Sequence, residues 1–298
     1  MTPYFSVITP SWNQGAWLDG CIRSVLAQGV EDLEHIVLDN CSNDETASVL
    51  AQHPHLQTHI EPDTGQANAL NKGFHMARGE IICWLNTDDQ YLPGTLARVR
   101  EEFRDSAVNV IYGDCEEKFF DGRPSGVRRA RFRHRDDFLR FWRKDIDILQ
   151  PAVFFRRRIF EEVGYLREDL HICMDYEFWW RVAERHAFKY LGIPLALQQR
   201  QPDSKTVKLL VRLYEEKEKV FSPLLDAAQP EHKLRNHLAG RIGMGERWLG
   251  LAQSAGANSD RVTALDFLRR ARNFNPLLLL TPRWWAAFLH IHRQRRSV

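Results

Sequence analysis

The sequence contains few cysteines and no long apolar run, and both shortages restrict the class of protein. The five cysteines are widely spaced and form no C-x-x-C pair: Cys21, Cys41, Cys83, Cys115 and Cys173. This spacing favours reduced packing residues over a disulfide framework or a zinc site. The most apolar late stretch is broken by Pro282 and Arg283, and it falls short of the roughly 20 apolar residues that a spanning helix needs. The first residues lack the charged and apolar regions of a signal peptide. We therefore expect a cytoplasmic protein without a transmembrane helix.

Two phosphate-binding motifs are absent as well. The chain has no G-x-x-x-x-G-K-[ST] loop and no G-x-G-x-x-G turn, which argues against a Walker-type ATPase and a standard dinucleotide dehydrogenase. The 41 Lys and Arg nearly balance the 39 Asp and Glu, so net charge alone does not indicate a polyanionic partner. His53, His55 and His59 lack the spacing of a metal site, and we interpret them as surface residues.

Strand-like and helix-like segments alternate over the first hundred or so residues. FSVITPSWN, LEHIVLDNCSND, HLQTHIEPD and EIICWLNTDD read as strands, and helical segments separate them. PGTLARVREEF reads as a helix with Pro93 in its first turn. This alternation predicts an α/β fold with a doubly wound, mostly parallel sheet and helices on both faces. From residue 206 the chain is helix-like, so we predict an α/β domain over residues 1–205 and a helical region over residues 206–298.

Polar residues follow three of the predicted strands. The first strand ends at Thr9, Pro10, Ser11 and Asn13, the second at Asp39, and the fourth at Asp88 and Asp89. Because such sheets bind ligands at the carboxyl ends of their strands, we expect these residues to converge on one crevice. Asp39 either accepts a hydrogen bond from a base N–H or forms a strand-end turn. Asp88 and Asp89 suit a hard cation with substrate phosphates, or they cap the next helix.

Several ordered motifs resemble the family 2 glycosyltransferases, which move a sugar from a nucleotide diphosphate sugar to an acceptor. The resemblance runs through FSVITPSWNQ, HIVLDNCSNDET, EPDTGQANALNKGF, GEIICWLNTDD, QPAVFFRRRIFEEVGYL and MDYEFWWRV. It implies a Rossmann-like GT-A fold for residues 1–205 and an inverting transfer to a hydroxyl acceptor. The expected donor is a UDP-sugar, the expected cofactor is Mn²⁺ or Mg²⁺, and the expected role is assembly of a surface polysaccharide or related glycan.

The same resemblance implies roles for individual residues. Asp39 is expected to read the base, and Asp88 and Asp89 are expected to hold the metal and the diphosphate. The other expected nucleotide-sugar contacts are Thr9, Pro10, Ser11, Asn13, Asn40, Asp63, Gly65, Lys72 and Asn86. Asn86 departs from the family pattern, because many members have the first Asp of D-x-D there. Met174 departs too, since it replaces the acid that usually precedes the one at 175.

Asp175 is the expected general base. An acceptor hydroxyl must lose its proton as it attacks the anomeric carbon, and a positioned carboxylate performs this step. The alternative is an acid that only stabilises a helix N-terminus through the helix dipole. Glu168, Asp169 and Glu177 lie close in sequence and compete for the same role.

Two segments suggest contact with an acceptor or a membrane surface. Basic residues cluster at Arg123, Arg128, Arg129, Arg131, Arg133, Arg135, Arg140, Arg143 and Lys144, which suits an anionic lipid-linked acceptor or a solvated loop. Trp284, Trp285 and Phe288 suit either an amphipathic helix at the inner face of the membrane or internal packing.

Two further functions stay open: a sugar-phosphate nucleotidyltransferase, whose Gly-rich N-terminal loop is missing, and a nucleotide-sugar-binding module without turnover.

Overall fold

The computed structural model describes residues 2–120, 122–132, 135–140, 148–200, 209–227, 230–258 and 260–293. The strands are β1 Phe5–Ser11, β2 Leu33–Asp39, β3 Gln57–Ile60, β4 Ile81–Trp84, β5 Asp89–Tyr91, β6 Val110–Phe119, β7 Gly126–Arg128, β8 Val153–Arg156 and β9 Phe188–Arg200. The helices are α1 Gly15–Leu26, α2 Thr46–Ala51, α3 Gln66–Met76, α4 Thr95–Glu102, α5 Ile159–Val163, α6 Met174–Ala183, α7 Leu210–Ala227, α8 Pro230–Ala257, α9 Arg261–Phe274 and α10 Pro282–Arg293. Short 3-10 helices span Arg135–Arg140, Gln150–Ala152 and Pro276–Leu280.

Within these residues, nine strands form one sheet in the order β3-β2-β1-β4-β8-β6-β9-β5, with β7 paired to β6. The pairings among β1 to β4 are parallel, whereas β8 pairs in the antiparallel sense with both β4 and β6. The predicted α/β fold with a helical C-terminal region is confirmed, and the strands after β4 make the sheet mixed.

The centre of the sheet is buried along its whole length. All seven residues of β1 are buried, without the alternation of a sheet that has one wet face. Helices on both faces explain this pattern, because a central parallel strand then has no side open to water. Phe5, Val7 and Ile8 of β1 are each fully buried. Burial of a side chain of this size contributes about 1.5–3 kcal/mol, so the central strands hold the loops at their ends in place.

The chain divides into two compact units, Met1–Arg135 with Asp147–Glu216, and Asp136–Ile146 with Lys217–Val298. The first unit contains the sheet. In the second unit α8 packs against α9 and α10, with the side chains of Trp248, Leu268 and Ile291 buried among them. Among the described residues, no helix combines the length and the apolarity that crossing a membrane requires.

Three local predictions are wrong. Pro93 lies outside α4, which begins at Thr95 after Gly94, whose φ of 78° ends the preceding turn. Cys41 is exposed rather than packed, because it lies in the polar turn after β2. His53 is buried rather than exposed, since its ring contacts the Asp19 carboxylate at 2.9 Å.

His35 on β2 makes stability depend on pH. Its ring is fully buried, and its Nε2 lies 2.9 Å from Thr9 Oγ1. Burial, together with the nearby His55 and His53, lowers the pKa of His35 to about 3 from 6.5. The unfolded chain therefore binds a proton below pH 6.5 that the folded chain does not bind, and stability falls as the pH drops from 6.5 toward 3.

We predict that His35→Gln removes this component of the pH dependence. Urea unfolding at pH 7, 6 and 5 should show that the wild-type protein loses more stability on acidification than the variant, by up to about 1.4 kcal/mol per pH unit. Equal slopes for both proteins would contradict a neutral, buried His35.

Candidate functional site

The carboxyl ends of β1, β2 and β3 lie side by side. Ser11 is the register partner of Asp39, and Asp39 is the partner of Ile60. The backbone continues this alignment past the strands: Asn40 N donates to Ser11 O at 3.0 Å, and Glu61 N donates to Asp39 O at 3.0 Å. β4 runs parallel to β1 on its other side. The loops after four strands therefore open at one edge of the sheet.

Asp39 holds the turn that follows β2. Its Oδ1 accepts from Ser42 Oγ at 2.6 Å, and its Oδ2 accepts from Ser42 N at 3.0 Å. Ser42 Oγ also accepts from Asn13 N at 2.7 Å, and Asn13 Oδ1 accepts from Asn43 N at 2.9 Å. A carboxylate has about four acceptor positions, so Asp39 keeps acceptor capacity for a base N–H while it fixes the loop. The strand-end turn is therefore formed, and the contact of Asp39 with a base stays a prediction.

The end of β1 presents one buried group that lacks a protein partner. Thr9 is fully buried and its hydroxyl lies against His35, and Pro10 is buried as well. Ser11 is 4% exposed, and its Oγ has no hydrogen-bond partner among the described residues. An unsatisfied buried hydroxyl is costly, and a ligand group at this edge would satisfy it.

Asn40, Asp63 and Gly65 form a second loop at the same edge. Asn40 Oδ1 accepts from Asp63 N at 2.9 Å, and Asp63 Oδ1 accepts from Gly65 N at 2.8 Å. Gly65 has φ of 138°, a conformation that favours glycine. Lys72 pairs with Glu61 at 2.8 Å and donates to Pro62 O at 2.9 Å. Lys72 thus stabilises the residues just before Asp63.

Asn86 is the centre of a network of uncharged groups. Its Oδ1 accepts from Gln66 Nε2 and from Trp84 Nε1, both at 2.9 Å. Its Nδ2 donates to Gln150 Oε1 at 2.9 Å, and Gln150 Nε2 donates to Trp84 O at 2.6 Å. An aspartate at position 86 would have no donor for Gln150 Oε1. The amide at this departure from the D-x-D pattern therefore matches its neighbours.

Asp88 and Asp89 form an acidic pair that is largely shielded from solvent. Burial raises the pKa of Asp88, and burial together with the adjacent Asp88 raises the pKa of Asp89 well above its usual value. The Arg200 guanidinium acts in the opposite direction on the pKa of both carboxyls. Asp88 is partly accessible, whereas Asp89 begins β5 and is 4% exposed.

The acidic pair has the donor chemistry of a hard divalent cation. Mg²⁺ and Mn²⁺ take carboxylate oxygens, commonly one or two from the protein and the rest from phosphate and water. A cation would also offset the repulsion that disfavours two adjacent charges at buried positions. Across the described residues, no group of three or more His, Cys, Asp or Glu has a metal-binding arrangement.

Asp175 lies in the first turn of α6 and is half-buried. Its Oδ1 accepts from Tyr176 N at 2.7 Å. The three competing acids are engaged elsewhere. Glu168 accepts from Asn68 Nδ2 and Asn71 Nδ2 at 2.9 Å each. Asp169 makes a two-point ion pair with Arg167, and Glu177 makes one with Arg181.

The turn before α6 faces the Asp63–Gly65 loop. A Cβ atom added at Gly65 would lie 3.5 Å from His171 Nδ1. Farther along, Asn71 Nδ2 donates to Leu166 O at 3.0 Å, and Asn71 Oδ1 accepts from Leu166 N at 3.0 Å. The segment leading to Asp175 is therefore anchored to the middle of α3, the helix that follows the Asp63–Gly65 loop.

Sequence reasoning did not identify several residues that shape this edge: Gln14, Ser42, Gln66, Trp84, Gln150 and Arg200. Thr87 Oγ1 donates to Gln14 Oε1, which joins the loop after β4 to the loop after β1. Arg200 ends β9 two residues after Gln198, the register partner of Asp89. Arg200 could have been identified from the sequence, because it is a basic residue at the end of a predicted strand.

The basic stretch is only partly available for binding. Arg123 stacks 4.0 Å from the centre of the Phe119 ring, and Arg128 pairs with Glu117 at 3.4 Å. Arg129 and Arg131 are exposed. The predictions for Arg133, Arg143 and Lys144 concern residues outside the described ranges.

Comparison with solved structures supports the same architecture. S. aureus TarS 1-349, in a crystal structure in complex with UDP-GlcNAc, aligns with a TM-score of 0.65 and 17% identity, over 98% of this chain and 89% of that chain. The mannosyltransferase PcManGT from Pyrobaculum calidifontis, in complex with GDP-Man and Mn²⁺, aligns with a TM-score of 0.56 and 17% identity, over 99% of this chain and 86% of that chain. At these identities the likeness shows a shared fold.

Sequence comparison identifies the family. An uncharacterized protein of Mycobacterium tuberculosis is 28% identical over 70% of each chain. A PGL/p-HBAD biosynthesis glycosyltransferase of Mycobacterium bovis is 31% identical over 59% of this chain and 68% of its own. The family profile described as Glycosyl transferase family 2 matches residues 6–164, more than half of the chain. The chain therefore belongs to glycosyl transferase family 2.

Proposed function

We propose that the chain transfers a sugar, with inversion, from a UDP-sugar to a hydroxyl of a glycan or lipid-linked acceptor. The observation that carries this proposal is the single sheet edge at which Ser11, Asp39 and the Asn86–Asp88 segment meet. Within the described part of the chain Ser11 Oγ has no hydrogen-bond partner, and Asp39 keeps acceptor capacity, so a nucleoside would supply hydrogen-bonding groups to both. Family membership favours glycosyl transfer over nucleotidyl transfer.

The donor would lie along this edge, with its base at Asp39 and its diphosphate toward Asp88. Asp88 and Asp89 would hold Mn²⁺ or Mg²⁺, which when bound supplies Lewis-acid stabilisation of the departing diphosphate. The positive charge of Arg200 lies close enough to influence both carboxyls, and it complements a diphosphate by the same Coulombic attraction. The network around Asn86 fixes the start of the segment that carries the acidic pair.

Asp175 would act on the acceptor. The acceptor O–H proton passes to the Asp175 carboxylate as the oxygen forms a bond to the anomeric carbon. The bond between that carbon and the diphosphate oxygen breaks, and its electron pair leaves with UDP. One displacement of this kind inverts the configuration, whereas retention by double displacement would need a carboxylate nucleophile at the anomeric carbon.

We predict that Asp175→Asn lowers turnover roughly 10²- to 10⁴-fold, the usual contribution of a general base. The donor is first selected by thermal shift, as the nucleotide sugar that raises the unfolding temperature most. The panel is UDP-GlcNAc, UDP-glucose, UDP-galactose and GDP-mannose, each with and without Mn²⁺. UDP or GDP release then measures turnover, and Asp169→Asn is the matched control. Equal rates for wild type and Asp175→Asn would refute the assigned base, and donor binding without turnover in the wild type would indicate a module that only binds.

Cys41 gives an independent test of where the nucleotide binds. It is exposed beside Asp39, while the other four cysteines are buried. Burial also raises the pKa of the Cys21, Cys83 and Cys115 thiols, which makes them poor nucleophiles. We predict that saturating UDP slows alkylation of Cys41 by iodoacetamide, as measured by mass spectrometry, and that Cys41→Ser shows little labelling. An unchanged alkylation rate in the presence of UDP would place the nucleotide elsewhere.

The second unit offers an apolar surface for contact with a membrane, the compartment from which a lipid-linked acceptor would come. We define this surface by four of the exposed apolar residues of the unit: Leu277, Leu280, Trp285 and Leu289. Trp285 Nε1 donates to Leu279 O at 2.8 Å, which holds the ring against the 3-10 helix. Trp284 is 7% exposed and stacks on Phe288, so internal packing accounts for Trp284. Arg293, Arg295 and Arg296 follow in the sequence and suit anionic headgroups.

We predict that the protein floats with vesicles of phosphatidylcholine and phosphatidylglycerol, and that Leu280→Ser with Trp285→Ser reduces the floated fraction severalfold. Val262→Ser is the matched control, because Val262 is 82% exposed on α9 but lies outside this surface. Equal flotation of the double variant and the wild type would count against the surface.

A further inference from the structure

Glu216 on α7 is buried against the turn that precedes α6. Its Oε1 accepts from His171 N at 2.8 Å, and its Oε2 accepts from Ile172 N at 2.8 Å and from Cys173 N at 3.1 Å. Glu216 is 6% exposed. Three successive backbone N–H groups that converge on one carboxylate form an anion nest, and here the chain itself supplies the anion from a position more than forty residues away.

The charge of this carboxylate is maintained in its buried position. Burial alone would raise the pKa of Glu216, but the N–H groups of Ile172, His171 and Cys173 outweigh burial, and the pKa is lowered. Arg212, one turn earlier on α7, adds a contact from its Nε to Glu216 Oε1 at 3.2 Å. The interaction is therefore a charge-assisted one, of the kind that is roughly twice as strong as a neutral hydrogen bond.

The turn held by Glu216 leads directly into α6. The N-cap residue of α6 is Cys173, and no side chain caps the helix there. Asp175 follows two residues later. The turn also lies close to the Asp63–Gly65 loop through the side chain of His171. The bonds between Glu216 and residues 171–173 thus connect α7 directly to the residues that lead into the first turn of α6.

We propose that Glu216 is a positioning residue that sets the location of the Asp175 carboxylate relative to the donor. This inference rests on the proposed function, because it assigns the base role to Asp175. Helix α7 is then required for turnover, because its Glu216 side chain orders the turn that precedes Asp175. Misplacement of a catalytic group by about 1 Å costs on the order of 10²-fold in rate.

The test compares Glu216→Gln with the control Glu215→Gln, an exposed neighbour on the same helix. A glutamine has a single acceptor oxygen, so its amide N–H₂ faces at least one backbone N–H of the turn. We expect kcat for UDP release, with the donor selected from the named panel, to fall roughly 10- to 100-fold. The donor Kd, measured by calorimetry, should stay within about twofold, because the nucleotide contacts lie on other loops. Glu215→Gln should match the wild type.

A double-mutant cycle separates positioning from general stability. If Glu216 acts through Asp175, Glu216→Gln should cause little further loss in an Asp175→Asn background. Full additivity, or an unchanged kcat in the single variant, overturns the proposal. If Glu216→Gln does not fold, Glu216→Asp keeps the charge with a shorter reach, and a kcat equal to wild type in that variant also overturns it. Should Asp175→Asn itself retain full activity, the proposed function fails, and that outcome is distinguishable from a failure at Glu216 alone.

Discussion

The parallel, in-register pairing of β1 with β2 on one side and β4 on the other is the constraint on which the site depends. Because Ser11 and Asp39 are register partners, β1 and β2 end side by side at the same edge of the sheet. A slip of one residue would turn every side chain of a strand to the opposite face, and the burial of the whole of β1 makes such a slip expensive. The core thereby fixes the relative positions of the polar loops, and hydrogen bonds such as Asn40–Asp63 and Thr87–Gln14 join one loop to the next.

The acidic side chains at this edge of the sheet lie beside a network of neutral side chains. Burial raises the pKa of both Asp88 and Asp89, and the adjacent Asp88 carboxylate raises that of Asp89 further. Next to this pair, the network of Asn86, Gln66 and Gln150 is neutral and satisfied. Negative charge is thus concentrated at two adjacent residues rather than spread across the D-x-D segment. The departure from the family pattern at Asn86 has a structural reason, because Gln150 Oε1 accepts a hydrogen bond from the Asn86 amide.

The sequence predicts what depends on local pattern. Apolar runs followed by Ser11, Asp39 and Asp88 indicated strands with ligand-binding ends, and the resemblance of several ordered motifs indicated the family. The sequence does not predict contacts between residues that are far apart along the chain. Glu216 has no signal of its own, because its partners at residues 171–173 contribute only backbone N–H groups. His53 was interpreted as exposed, since nothing local reveals that Asp19 lies beside it.

The central claim is that loops separated in sequence form one nucleotide-sugar site. Hydrogen–deuterium exchange with and without UDP and Mn²⁺ tests it most directly, because exchange reports each segment separately. The account predicts ligand-dependent protection in three segments at once, around Ser11–Asn13, Asp39–Ser42 and Asn86–Asp89. Protection confined to one of these segments, or located only outside them, would contradict it.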